Sequence, residues 1–565
     1  ISRPTGQAER LRPAARSPRE LALRLTPATY SGSVPVALPP QPRRLGTLVL
    51  AVIGGLVTDS AFPQRGLWPL AAIGVALLVL AVRRDSARWA FVVGLTWGLS
   101  FFLVHIWWAH EAVGIIPWVA LSLAQAIAIG LSMSTWIWIS RSRLLVGHPW
   151  LGALGFAVAW TTWEIGRSAG PFGGFPWGRL AFSQTEGPLL RLASLGGTTL
   201  VTAIVAATGY VLALGWLRLR TRHVSSAAAA FITAMVIPAL CLAIPLNERA
   251  EQGVVSVGVV QGNVSEPGLG AFNNAREVIT NHADGTVELA QTYAGELDVV
   301  LWPENAADYD PRTDEAAREA VEAASQAIGA PILLGTQSYQ RDGNGVATGR
   351  FNDFIRWDPG VGEVASYAKQ HPAPFAEYIP MRDIARRFSS AVDLVSVDMI
   401  AGQSVGILPV PVDGRDVPFG IAICFEVAYD AIVRESVAQG AEVLIVPTNN
   451  ASFGVTAESE QQLAMTVFRA VEHGRAAVQV STVGVSAVVT PNGVVKDETE
   501  LFTPAAFTAD LPLRTSQTLA TQLGDIPQWI AFGATLFLTV LGVATWSRSR
   551  SRRATVSAPR RRAAK

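Results

Sequence analysis

Charged side chains and cysteines are both scarce in this sequence. Only 16% of its 565 residues are Asp, Glu, Lys or Arg, whereas about a quarter of a soluble domain is charged. This shortfall excludes an ordinary soluble protein and indicates that much of the chain lies in lipid. The formal net charge is only +1, so no overall positive field indicates nucleic-acid binding. The two cysteines, Cys241 and Cys424, exclude a disulfide framework.

Two kinds of ligand motif are also missing. The sequence contains no glycine-rich loop of the type that holds phosphates, and no Cys/His cluster with metal-ligand spacing. We therefore expect neither a cofactor nor a metal.

Long apolar runs, by contrast, are abundant. A helix needs about 20 apolar residues to cross the hydrocarbon core of a bilayer. We predict eight such spans, of which the first is the weakest because Asp59 interrupts it. The predicted spans are 45–62, 66–82, 90–109, 115–139, 150–168, 197–217, 226–246 and 526–546.

Basic residues are grouped so that they predict an orientation. With eight spans, the arginines of the tail 1–44, of the loops 83–88, 141–143 and 218–222, and of the tail 547–565 all fall on one side. Positive residues near spans stay in the cytoplasm, so both tails are predicted to be cytoplasmic and the segment before the last span to lie outside. We expect both tails to be disordered, because they have little to bury. No aromatic residues interleave with their arginines, which disfavours nucleic-acid binding.

The loop 169–197 combines Gly and Pro with Phe175 and Trp177. This composition predicts an interfacial or re-entrant segment on the outer side. Glu164 and Arg167 come just before it, near the end of a span. They are either functional ionisable groups within the membrane or a helix end whose charges snorkel to the headgroups.

Residues 254–513 differ in kind from the seven-helix region 45–246. Short apolar runs alternate there with amphipathic stretches, which predicts an α/β domain with a sheet covered by helices. The predicted strands are 254–261, 297–303, 331–337, 350–357, 418–424, 441–447 and 476–490, and the predicted helices are 273–294, 312–328, 427–439 and 457–474.

Three residues of this domain are placed as catalytic groups are. Glu304 and Cys424 each end an apolar strand, and Lys369 lies in a loop rich in Pro and aromatics. Ends of buried strands are where α/β sheets present catalytic groups, and a helix N-terminus after Cys424 would favour its thiolate. Taken singly, each is better explained without catalysis, as a core cysteine, a capping or paired glutamate and a surface lysine. Together, a nucleophile, a base and a cation form a working set.

The motifs around these residues carry a resemblance. The domain resembles the nitrilase (carbon–nitrogen hydrolase) superfamily, and residues 45–546 as a whole resemble bacterial apolipoprotein N-acyltransferases. The matching motifs are GFPWGRLAFSQ (174–184), VVQGNV (259–264), LWPEN (301–305), KQHPAPFAEYIP (369–380), AICFE (422–426) and FRAVEHGR (468–475).

The resemblance implies a fold and a set of roles. The fold would be an αββα sandwich attached to a polytopic helical membrane part. Cys424 resembles the nucleophile, Glu304 the general base, and Lys369 the cation beside the developing oxyanion. Glu377 and Glu426 match supporting carboxylates that position Lys369 and the substrates.

The resemblance also implies an activity in the bacterial inner membrane. A fatty acyl chain would pass from a phospholipid, through a cysteine thioester, to the α-amino group of the diacylglyceryl-modified N-terminal cysteine of a lipoprotein. The phospholipid, the apolipoprotein and the bilayer would be the partners. One alternative is a membrane-tethered amidase that passes the acyl group to water, and another is a transporter with an outer domain.

One stretch departs from the pattern of that family. Many members read Asn-Asp-Ala-Trp-Phe-Gly where this chain has Asn449-Asn450-Ala451-Ser452-Phe453-Gly454. The acid and the tryptophan are replaced, and neither belongs to the predicted triad.

Overall fold

The computed structural model describes residues 43–264 and 276–557. Most of the predicted tail 1–44 and the end of the tail 547–565 therefore lie outside the described residues. Before the α/β domain, the chain forms α-helices joined by loops, together with two short 3-10 helices, Leu180–Gln184 and Pro188–Leu192. The helices are α1 (Arg44–Asp59), α2 (Pro69–Ala81), α3 (Ala87–His105), α4 (Trp108–Val113), α5 (Ile115–Ser140), α6 (Pro149–Ala169), α7 (Ala193–Arg220) and α8 (Val224–Cys241).

Each of the first seven predicted spans is occupied by one of these helices, but the count of eight is not confirmed. The short α1 and α2 have only 16 and 13 residues, and α6 carries Glu164 and Arg167. Among the described residues, five helices are long and apolar enough to cross a membrane by themselves: Ala87–His105, Ile115–Ser140, Pro188–Arg220, Val224–Cys241 and Ile526–Ser549.

The α/β domain contains two six-stranded sheets. Their orders are β12-β1-β2-β3-β4-β5 and β11-β10-β9-β8-β7-β6. The strands are β1 (Val254–Gln261), β2 (Val299–Leu301), β3 (Ile332–Arg341), β4 (Ala347–Asp358), β5 (Gly362–Ala368), β6 (Ile407–Val412), β7 (Arg415–Ile421), β8 (Val443–Thr448), β9 (Ala477–Ser481), β10 (Ala487–Val489), β11 (Val495–Lys496) and β12 (Ala505–Pro512). The helices of this part are α9 (Glu277–Thr292), α10 (Glu315–Ile328), α11 (Arg382–Ala385), α12 (Asp430–Ala438), α13 (Glu458–His473), α14 (Leu519–Leu523) and α15 (Ile526–Ser557), the last of which occupies the eighth predicted span.

Three apolar layers hold this domain together. Side chains from both sheets, such as Val257 and Phe419, form one core between the sheets. Apolar residues of α9 and α10 cover the other face of the first sheet. Residues of α12 and α13 cover the second sheet, in a cluster that continues into the membrane helices. The predicted αββα sandwich is thus confirmed, and its second helical layer is shared with the membrane part.

Local sequence explains why these elements form. All six residues of β8 are buried, as expected for a parallel strand covered on both faces. The α10 helix starts where the Asp314 side chain accepts a hydrogen bond from the Ala317 N–H at 2.9 Å. It ends at Gly329, whose φ of 70° favours glycine.

The final helix is longer than predicted. The sequence predicts its end at 546 and a disordered tail after that, whereas α15 continues to Ser557. The expectation of disorder is wrong for residues 547–557. Arginine and alanine are good helix formers, and extending an existing helix costs much less than nucleating one.

Candidate active site

The three predicted catalytic residues come together at the ends of their strands. Glu304 follows β2, Lys369 follows β5 directly, and Cys424 follows β7. The Lys369 Nζ donates to Glu304 Oε1 at 3.1 Å. Both charged groups act electrostatically on the Cys424 thiol. The sandwich therefore assembles nucleophile, carboxylate and cation in one buried place.

Glu304 is fixed from two sides. Its side chain is 3% exposed, and its Oε1 also accepts a hydrogen bond from Asn352 Nδ2 at 2.6 Å. Its Oε2 accepts from the backbone N–H of Asn449 at 3.0 Å. A carboxylate with this many donors is held in one orientation.

Lys369 is buried between two carboxylates. Its Nζ donates to Glu377 Oε1 at 2.7 Å as well as to Glu304. Burial lowers the pKa of Lys369, but Glu304 and Glu377 together raise it well above its ordinary value. Glu377 is in turn anchored by the N–H of Ala373, which donates to its Oε2 at 2.6 Å. The lysine is thus a permanent, oriented cation.

Glu426 organises the backbone rather than the lysine. Its carboxylate accepts from the N–H groups of Gln370 at 2.7 Å and Ile423 at 2.8 Å, and from the Tyr367 hydroxyl at 3.0 Å. Burial raises the pKa of Glu426 to about 7. Because it bonds to the segments that carry Lys369 and Cys424, it fixes the two relative to each other.

Cys424 lies at a bend that restricts its position. Its φ is +53°, in the left-handed region that non-glycine residues rarely adopt. Burial, followed by the charge of Glu304, raises the pKa of its thiol far above the ordinary value. This direction opposes the thiolate expected from a helix N-terminus. Only the short 3-10 helix Cys424–Ala428 begins here, and burial outweighs it.

Several polar residues of the site were missed by the sequence analysis. Thr448 Oγ1 and Gln462 Nε2 lie 3.2 Å and 3.5 Å from Cys424 Sγ. Asn352 bonds to the base, as described above. A detectable signal existed for Asn352, since it interrupts an apolar strand, FNDFIRW (351–357). Among the described residues, no group of three or more His, Cys, Asp or Glu side chains could hold a metal ion.

The membrane part contributes an aromatic wall beside the thiol. Trp177 stacks on Phe425, the neighbour of Cys424, with ring centroids 5.3 Å apart and an interplanar angle of 10°. Phe175 stacks on the same ring at 5.7 Å. The indole N–H of Trp177 donates to Gln461 Oε1 at 2.6 Å. Trp177 is fully buried, so this part of the loop 169–197 forms an internal wall. The interfacial alternative is wrong for Trp177, and the re-entrant alternative stays a prediction.

Glu164 and Arg167 shape this wall. Arg167 is 4% exposed and donates to the carbonyls of Phe175 at 3.0 Å and Trp177 at 2.8 Å. Glu164 is 2% exposed and accepts from the Leu180 N–H at 3.1 Å. The snorkelling alternative is wrong for this pair, because the two side chains hold a tight loop from inside.

A buried ionic cluster joins the membrane part to the α/β domain. Asp430, at the start of α12, accepts from Arg179 at 2.8 Å, from Thr198 at 2.8 Å and from Arg469 at 2.7 Å. Burial would raise the pKa of Asp430, but Arg179 and Arg469 hold it well below its usual range. We call Arg179, Thr198, Asp430 and Arg469 the junction cluster.

Comparisons with known proteins agree with this geometry. Residues 54–211 match the apolipoprotein N-acyltransferase N-terminal domain, and residues 256–521 match the carbon-nitrogen hydrolase family. The apolipoprotein N-acyltransferase of Mycolicibacterium smegmatis is 36% identical over 526 residues, which cover 89% of this chain and 84% of the relative. The chain belongs to the apolipoprotein N-acyltransferase family. It is an enzyme, an acyltransferase, and the predicted resemblance is confirmed over both alternatives.

More distant matches were also found. The apolipoprotein N-acyltransferase of Shewanella oneidensis is 27% identical over 513 residues, covering 87% of this chain and 95% of the relative. Among solved structures, an amidase of the nitrilase superfamily from Nesterenkonia AN1 covers 50% of this chain and 99% of its own, with 16% identity and a TM-score of 0.35.

Proposed function

We propose that this N-acyltransferase moves a fatty acyl chain from a phospholipid, through a thioester on Cys424, to the α-amino group of a diacylglyceryl-modified N-terminal cysteine of lipoproteins. One observation carries the proposal. Glu304, Lys369 and Cys424 are assembled in a buried site whose neighbouring wall comes from the membrane part.

The first half-reaction forms the thioester. Because burial keeps the Cys424 thiol protonated, attack requires a base, and Glu304 is the carboxylate that acts on it. The S–H proton passes to Glu304 while sulfur bonds to the ester carbonyl carbon. Lys369 stabilises the oxyanion of the tetrahedral intermediate. The C–O bond then breaks, and Glu304 returns the proton to the leaving lysophospholipid oxygen.

The second half-reaction consumes the thioester. The neutral α-amine of the lipoprotein attacks the thioester carbonyl, and an N–C bond forms as the C–S bond breaks. One amine proton passes through Glu304 to the departing sulfur, which restores the thiol. The acyl group ends as an amide, so the two lipidated substrates use one pocket in turn.

The membrane part supports a lipid substrate. Each methylene that a soluble enzyme would have to extract from lipid costs about 0.8 kcal/mol. A site walled by Phe175, Trp177 and Phe425 offers the acyl chain an apolar surface instead. This accounts for a catalytic domain that shares a helical layer with membrane helices.

The proposal includes a topology. We place both termini in the cytoplasm of the bacterial inner membrane, eight helices across it, and residues 254–513 outside. The alternation of basic loops supports this arrangement. Alkaline phosphatase fused after residue 513 should be active and a fusion after residue 222 inactive, and the reverse pattern would exclude this topology.

The direct test is mass spectrometry of the full-length enzyme after incubation with phospholipid. The peptide containing Cys424 should gain an acyl mass that hydroxylamine removes and that a diacylglyceryl-cysteine peptide discharges as an amide. Cys424→Ala should show no adduct, and Cys241→Ala, which changes the other cysteine, should behave as wild type. An adduct discharged only by water would mean a hydrolase. Full transfer by Cys424→Ala would exclude the thioester.

A further inference from the structure

The Cys424 sulfur has two polar side chains within hydrogen-bonding reach. Thr448 Oγ1 lies 3.2 Å and Gln462 Nε2 lies 3.5 Å from it. Both residues are completely buried. The mechanism derived above uses neither of them, although both touch the atom that carries the acyl group.

A hydroxyl has one hydrogen, and here two acceptors compete for it. Thr448 Oγ1 is 2.8 Å from Gln462 Oε1, closer than its 3.2 Å to the sulfur. When its hydrogen points to the glutamine oxygen, Thr448 can only accept from the thiol. The Gln462 amide N–H is then the donor that remains aimed at sulfur.

The direction of that amide is set by a chain of bonds that begins at the backbone. The N–H of Gly484, which can only donate, bonds to Ser481 Oγ at 2.8 Å. The Ser481 hydrogen therefore goes to Asn450 Oδ1, 2.6 Å away. Asn450 consequently presents its Nδ2, which donates to Gln462 Oε1 at 2.9 Å. With its oxygen engaged there, Gln462 presents its own N–H groups to Cys424.

A buried carboxyl reinforces this direction. Asn450 Nδ2 also donates to Glu458 Oε2 at 2.5 Å, and Glu458 is 2% exposed. Asn450 stands where the family pattern described above has an aspartate. An aspartate could not donate to Gln462, so the amide at position 450 is what this chain of bonds requires.

We propose that Gln462 is a further catalytic residue, whose amide N–H is held on the Cys424 sulfur and stabilises it as a thiolate, while Ser481, Asn450 and Glu458 position that amide. The donor acts twice, when Glu304 removes the thiol proton and when the amine expels the sulfur. This inference rests on the proposed role of Cys424 as the nucleophile.

The charges around the sulfur explain why such a donor matters. Burial raises the pKa of the thiol most, Glu304 raises it further, as Glu458 does when it is ionised, and Lys369 lowers it. Of the two groups that are charged near neutral pH, Glu304 therefore opposes the thiolate and Lys369 favours it. A neutral donor stabilises the thiolate without adding a charge that would disturb the Glu304–Lys369 pair.

The test is the pH dependence with which iodoacetamide alkylates Cys424 in the full-length enzyme, followed on the Cys424 peptide. Loss of a hydrogen bond to a charged group changes an equilibrium constant about tenfold. Gln462→Met should therefore lower the thiolate fraction and slow alkylation about tenfold near pH 8. The alkylation rate plotted against pH should shift to higher pH by about one unit. Asn450→Asp, which removes the donor to Gln462, should move it in the same direction.

The matched control is Thr466→Val, one turn along the same helix. Thr466 bonds to the Gln462 carbonyl at 3.3 Å and to Gln479 at 2.9 Å, so its loss should lower the melting temperature without moving the profile. Unshifted profiles in both Gln462→Met and Asn450→Asp would overturn the inference. If Gln462→Met does not fold, the alkylation profiles of Asn450→Asp and Ser481→Ala test the inference in its place. Acyl transfer by Cys424→Ala would instead remove the proposed function itself.

Discussion

Glu304→Gln removes the proposed base while keeping its volume and one acceptor oxygen. The retained oxygen can still accept from Asn352 and Lys369, now at 2.6 Å and 3.1 Å. The new amide nitrogen would face the Asn449 N–H, which now donates to Oε2 at 3.0 Å. Leaving that half-buried donor unpaired should cost at most about 1–3 kcal/mol of stability, which a folded domain can tolerate.

The substitution should affect two reactions of the Cys424 sulfur, thioester formation and alkylation, in different ways. Without a base, thioester formation from phospholipid should fall about 10²- to 10⁴-fold. Glu304 raises the pKa of the Cys424 thiol, and a neighbouring charge typically shifts a pKa by about one to three units. Removing that charge should therefore lower the thiol pKa and preserve or increase alkylation by iodoacetamide at pH 8.

Both reactions can be followed on one sample. Acyl transfer is measured as the acyl mass on the Cys424 peptide after a fixed time with phospholipid, and alkylation as the carbamidomethyl mass without lipid. An equal fall in both would refute a base role and indicate a damaged site. Unchanged acyl transfer would show that another group removes the proton.

Three further substitutions test other parts of the site. Lys369→Met leaves the buried Glu304 and the half-buried Glu377 without their cation, so it should abolish transfer and lower the free energy of unfolding by about 3–5 kcal/mol. Measurable transfer would contradict its role at the oxyanion. Trp177→Ala should lower the free energy of unfolding by about 3–5 kcal/mol. It should also raise the KM for phospholipid more than it slows Cys424 alkylation, and an unchanged KM would show that the aromatic wall does not bind the substrate. Burial raises the pKa of Glu458 from 4.5 to about 8. Between these pH values the folded state keeps a proton that the unfolded chain has lost, so the stability of the wild type falls as the pH rises. Glu458→Gln should therefore gain melting temperature relative to wild type between pH 5 and pH 8.5, and a constant difference would contradict the shifted pKa.

The sequence predicted the central strands, although the single strand predicted at 476–490 is two antiparallel strands, β9 and β10, and it predicted none of the edge strands. Strands β5, β6, β11 and β12 were missed, and they are the four edges of the two sheets. Edge strands are half exposed and tolerate proline, as Pro409 and Pro411 in β6 show. Their apolar pattern is therefore weak, whereas buried strands such as β8 appear as continuous apolar runs.

The same reasoning explains which site residues could be found. Glu304, Lys369 and Cys424 follow strands or stand in a conspicuous loop, so position in the sequence marks them. Thr448 and Gln462 carry no such mark. The α13 helix looks amphipathic in sequence, yet every residue of it except Glu460 is buried, because the membrane part covers its polar face. That cover comes from residues hundreds of positions away and is invisible to local periodicity.

The pairing of β1 with β12 has a consequence for the order in which the enzyme is built. Val254 lies opposite Pro512, so the first strand of the domain to leave the ribosome pairs with the last. Its edge stays open while the rest of the domain is synthesised, and such long-range pairing is slow. The α15 helix begins at Ile526, after β12 has ended at Pro512 and the short α14 has followed. Since β1 follows α8 in the chain, we expect the insertion of α15 to keep the closing strand near the membrane and close to β1.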